Sequence, residues 1–62
     1  MLLKELLEIL PGNQRVKIVY IISDSLKEVK GTSAIITNNH EYLLNEPVSV
    51  AYTKANILSI CL

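Results

Sequence analysis

The stretch RVKIVYIIS, residues 15–23, constrains the fold more than any other. Val16, Ile18, Tyr20 and Ile22 fall on one side of an extended chain, and Lys17, Val19 and Ile21 fall on the other. β-Branched side chains crowd a helix but suit a pleated surface, so the stretch reads as a strand. Two later runs alternate in the same way. VSVAYT sets Val48, Val50 and Tyr52 against Ser49, Ala51 and Thr53, and ILSICL sets Leu58, Ile60 and Leu62 against Ile57, Ser59 and Cys61. Lys54–Asn56 between them makes a short connection, so the pair predicts a β-hairpin. Pro47 suits the first residue of its strand, where no ladder donor is lost. After residue 23, the polar Ser23–Ser25 reads as a turn, and LKEVKG as a charged edge strand that ends at Gly31.

These strands need a layer to cover them. Leu3, Leu6, Leu7 and Leu10 recur at the spacing of one helical face, widened by Leu2 and Ile9, with Lys4, Glu5 and Glu8 opposite. Pro11 stops the helix and Gly12 lets the chain turn. A helix of about ten residues is marginal alone and must dock its leucines. A second, shorter helix is expected within residues 32–45. Thr32 or Ser33 would cap it, Ile35 and Ile36 would anchor it, and Asn38 and Asn39 would stop it by taking a left-handed conformation.

The expected fold class is therefore α+β in two layers, ordered α-β-β-α-β-β. It comprises a mostly antiparallel four-stranded sheet with the helices on one face, in a single domain over residues 1–62. The helix should run from Leu2 to Leu10 and the strands near 15–23, 26–31, 48–53 and 57–62. Leu6, Leu10, Val16, Ile18, Tyr20, Val50, Tyr52, Leu58 and Ile60 should form the core. Without Trp or Phe, the only large rings are Tyr20, Tyr42 and Tyr52.

At 62 residues the core is small, and domains of this size usually lean on disulfides, a metal or a partner. Cys61 is the only cysteine and His40 the only histidine. That excludes an internal disulfide and a cysteine-bound structural zinc site, and leaves a partner subunit. The unpaired thiol fits a reducing compartment. The opening MLLKELLEILPG carries charges inside its apolar stretch and lacks a small-residue cleavage site. No apolar run approaches the roughly 18 residues of a bilayer span. The expectation is a cytoplasmic protein.

Several segments, taken together, resemble a group of small proteins encoded in phages and prophages of Gram-positive bacteria. They are KELLEILPGNQRVKIV, the KGT before a short helix, EYLLNEPVSVAY and the closing ILSICL. The resemblance spans most of the chain and implies an origin in a mobile genetic element. It implies no activity.

Residue chemistry points away from catalysis. His40 beside Glu41 does not make a ligand set or a general-base site without further groups. Cys61 with His40 lacks a third, orienting group, and a strand cysteine behaves as a small hydrophobe. Ser23, Asp24 and Ser25 are turn residues. Gly12 and Gly31, the only glycines, cannot form a phosphate-cradling loop. The chain is thus expected to be non-enzymatic, with no catalytic residue, cofactor or metal.

What remains is association. One side of the proposed sheet would carry Val19, Ile21, Ala51, Ile57 and Cys61, with Ser49, Thr53 and Ser59 between them and Lys17 at one end. An apolar sheet face that no helix covers marks an interface, and an unpaired final strand would offer an edge as well. The expected partner is a second copy, in a homodimer, or else a host or phage protein. The alternative is nucleic-acid binding through the basic hairpin Arg15, Lys17, Lys27 and Lys30. Six basic residues balance six acidic ones, however, and Tyr20, the one ring in that hairpin, falls on the core side.

Overall fold

A computed structural model describes all 62 residues. Helix α1 spans Leu3–Glu8 and strands β1 and β2 span Arg15–Ile22 and Ser25–Thr32. Helix α2 covers Ser33–Asn39, followed by a short 3-10 turn at Glu41–Leu43, and strands β3 and β4 cover Val50–Lys54 and Ile57–Cys61. The class is α+β and the element order matches the expectation. No helix is long and apolar enough to cross a membrane.

The sheet is mixed, in the order β2-β1-β4-β3. β1–β2 and β3–β4 are antiparallel hairpins, and β1 and β4 join them as a parallel pair. The parallel pair follows from the middle segment. β2 ends beside the start of β1, and α2 with the 3-10 turn carries the chain back before β3 begins. β3 therefore runs in the direction of β2, and β4, after its turn, in the direction of β1. This corrects the expectation for the final strand. β4 is interior, paired on both sides, and the edges are β2 and β3.

Cross-strand partners share a face of the sheet. Val16 pairs with Gly31 and Leu58, and Ile18 with Val29 and Ile60. Val16, Ile18 and Ile60 are buried and cluster with Leu3 and Leu7 of α1, Ile36 of α2 and Leu43. Leu6, Leu10, Tyr20, Leu58 and Leu62 pack on this cluster half-buried. The helix thus presents Leu3 and Leu7 to the core most directly, with Leu6 and Leu10 at its flanks. It also ends at Glu8, two residues before Leu10.

Two residues predicted for the core lie outside it. Val50 and Tyr52 are each 53% exposed. Lys54 pairs with Ile57, so the connection is the two-residue Ala55-Asn56, not Lys54–Asn56. Both residues have positive φ, 53° and 64°, as hairpin turns of the primed type require. Shortening the loop by one residue turns every β3 side chain over. Ala51 and Thr53 therefore pair with Ile60 and Leu58, while Val50, Tyr52 and Lys54 pair with Cys61, Ser59 and Ile57. Ser23-Asp24, with φ of 50° and 63°, closes the first hairpin in the same way.

Backbone bonds lock the chain ends and connections to the sheet. The Leu3 and Lys4 amides donate to Glu46 and Leu44, and Val48 donates to Met1. Pro47 consequently bridges to Leu2 instead of opening β3, which starts at Val50. The Glu5 carboxylate accepts from the Leu2 amide at 2.7 Å, which satisfies one free donor at the start of α1. α2 begins where expected: Thr32 Oγ1 accepts from the Ile35 amide at 3.3 Å. The Ser33 hydroxyl donates to the Leu7 carbonyl, which ties α2 to the end of α1. Asn38 and Asn39 stay right-handed, and the helix ends at His40, with φ −128° and ψ 47°.

Candidate functional site

The residues that alternate with the core positions form a second sheet face, here called the Val19 face. Register arranges it in rows across the strands. Leu26 and Ile21 make the first row, and Glu28, Val19, Cys61 and Val50 the second. Lys30, Lys17, Ser59 and Tyr52 make the third, and Thr32, Arg15, Ile57 and Lys54 the fourth.

The face has two halves. The first two rows are apolar apart from Glu28, and Ile21 and Leu26 are 70% and 69% exposed. At the tip of this half, Ile21 and Ile22 border a groove of about 370 Å³ shared with Tyr20, Tyr42 and Leu62. Hydrogen bonding to the Tyr20 hydroxyl holds the Tyr42 phenol above its ordinary pKa. The last two rows hold Arg15, Lys17, Lys30 and Lys54, four of the six basic residues of the chain. Glu28 is the one carboxylate on the face. It lies 3.1 Å from the Lys30 ammonium and 3.8 Å from that of Lys17. The hydrogen bond from Lys30, aided by the charge of Lys17, holds its carboxyl below the usual carboxylate range. Arg15 and Lys54 are in no ion pair. A groove of about 510 Å³ opens at this end, with Arg15, Lys17, Lys30 and Thr32 as its polar lining.

Of the five residues expected on an association face, Val19, Ile21, Ile57 and Cys61 share the Val19 face. Ala51 does not, because the turned-over β3 puts it beside Ile60. Val50 and Tyr52 stand there in its place, and Leu26 joins from β2. The hairpin cations divide as well. Lys27 pairs with Tyr20 on the opposite face, while Lys54, from the other hairpin, joins Arg15, Lys17 and Lys30. Sequence reasoning missed Tyr52 and Lys54 together, for one reason. A two-residue turn at Ala55-Asn56, in which Asn tolerates positive φ, would have placed both.

The other candidates stay apart. His40 Nδ1 lies 3.1 Å from the Tyr42 hydroxyl, with the rings edge to face at 5.7 Å. Cys61 sits between Val19 and Val50 on the sheet, half-buried. No three His, Cys, Asp or Glu side chains gather as metal ligands would. No protein-family model matches this chain, and no curated protein or solved structure is significantly similar to it.

Proposed function

We propose that this chain is a non-enzymatic association protein that pairs with a second copy of itself through the Val19 face. The carrying observation is the contiguous apolar set of Leu26, Ile21, Val19, Cys61 and Val50, two of whose members are about 70% exposed. Both helices send their buried residues into the one cluster on the Ile18 face, and we infer that they leave the Val19 face bare. Only seven hydrophobic residues are buried in the monomer, a thin core for an independent domain. A two-fold pair is the simplest way to add burial. Overlap of the apolar rows about a two-fold axis would direct the basic rows of the two copies to opposite ends, avoiding like-charge contact.

Operation in the cytoplasm, within a mobile genetic element, accords with the lone thiol and with the resemblance of KELLEILPGNQRVKIV. The test is mass in solution, by sedimentation or light scattering, from micromolar to near-millimolar concentration. The parent should dimerise. Ile21→Glu should remain monomeric with an unchanged circular dichroism spectrum, because a side chain this exposed holds up nothing in the monomer. A parent that stays monomeric across the range refutes the pairing. A dimer indifferent to Ile21→Glu moves it to an edge, β2 or β3.

A further inference from the structure

We propose that the basic end of the Val19 face is a binding site for single-stranded nucleic acid, independent of the apolar rows. The chain as a whole is neutral, but the fold does not distribute its charge evenly. Four cations occupy two adjacent rows, and five of the six carboxylates lie elsewhere, on α1, the first turn and residues 41–46. With strands about 4.8 Å apart, the four cations lie within one patch of the size a few nucleotides cover. Glu28 engages two of them, and Arg15 and Lys54 are left without an acidic partner.

A basic patch alone would accept any polyanion. Tyr52 narrows the class. The residue is 53% exposed, stands next to Lys54 on the same face, and has the small Ser59 as its cross-strand neighbour. Ser59 is small and buried, with Lys17 and Tyr52 on either side of it in the same row. An exposed ring on a sheet, flanked by cations, suits a base that is free to stack. Unpaired strands present such bases and duplexes do not. The face also offers no projecting helix or ribbon to enter a duplex groove.

The experiment is fluorescence anisotropy with a labelled oligothymidylate of about 12 nucleotides, and with a duplex of equal length, over a salt series. Binding should be micromolar at low salt. The logarithm of affinity should fall against the logarithm of salt with a slope of about −2 to −3, as four neutralised phosphates imply. The double variant Arg15→Glu, Lys54→Glu should weaken binding at least tenfold and flatten the slope. Tyr52→Ala should cost about 5- to 100-fold, and Tyr52→Phe should restore it. Lys27→Ala, on the opposite face, should change nothing. Absence of binding at low salt, equal affinity for the duplex, or indifference to Tyr52→Ala would each overturn the proposal. Ile21→Glu should bind the oligonucleotide like the parent. Loss of binding there would refute the independence of the two halves.

Discussion

Ala55→Gly tests the turn on which the Val19 face depends, and the sign of its effect decides the matter. In the structure Ala55 has φ 53°, a region where a Cβ meets the following carbonyl. That conformation costs a non-glycine residue about 1–2 kcal/mol. Glycine removes the cost but adds about 0.4–1 kcal/mol of unfolded-chain entropy. The net expectation is stabilisation of about 1 kcal/mol, or a rise in melting temperature of about 4–8 °C for a domain this small. A three-residue loop over Lys54–Asn56 would place Ala55 in the right-handed region, with only Asn56 at positive φ. Glycine would then bring its entropy alone and lower stability by about 0.4–1 kcal/mol. Asn56→Gly does not separate the two turns, because both put that residue at positive φ. Thermal and urea melts followed by circular dichroism give the answer. A destabilised Ala55→Gly would return Val50 and Tyr52 to the core side and dissolve the face described above.

Two further outcomes follow from the core and the ion cluster. Leu7→Ala, at a site 4% exposed, should cost about 2–5 kcal/mol, against a total of about 3–9 kcal/mol for a chain of this length, and should lower the urea midpoint by about half or more. Leu6→Ala, half-buried at the rim, should cost clearly less. Glu28 has a folded pKa below its unfolded value, so its contribution is present above the unfolded pKa, near 4.5, and is lost as pH falls through the folded one. Acid titration of stability should therefore be shallower in Glu28→Gln than in the parent below about pH 4.5. The gap should be small and should close in high salt, because Glu28 is exposed.

Local chemistry was legible in the sequence wherever it acted alone. The period of β1 placed Val16 and Ile18 in the core, although Ile22 of the same set lies at the strand end and is 55% exposed. Thr32, one of the two hydroxyl residues ahead of the apolar pair Ile35-Ile36, capped α2, and Ser33 instead bonded the end of α1. Pro11 ended α1, though two residues of turn intervened. Parallel pairing of β1 with β4 was not legible, since it depends on where α2 delivers the chain and not on either strand's own pattern. Pro47 was misplaced for a similar reason: its partner, Leu2, lies at the far end of the sequence. The Asn38-Asn39 pair suggested a left-handed stop, yet the chain turned at His40, whose side chain meets Tyr42 two residues on.

The face itself shows why a residue count is a weak guide to what a small domain binds. Net charge is a single number, whereas a ligand meets the field above one surface. VSVAYT alternates whichever way it is turned, so its pattern cannot tell Val50 and Tyr52 in the core from the same residues outside it. The loop decides. One residue fewer between β3 and β4 sends Tyr52 and Lys54 to the side that holds Lys17 and Arg15, and sets Ala51 and Thr53 beside Ile60 and Leu58, where both stay exposed at the sheet edge. The same shift therefore trades two core contacts for an aromatic ring and a cation beside an existing basic row. The monomer gives up packing in a core of seven residues and gains a surface with an apolar half and a charged half. Such an exchange makes sense for a chain whose work is done at that surface, because packing lost in the monomer is recoverable when the face is covered.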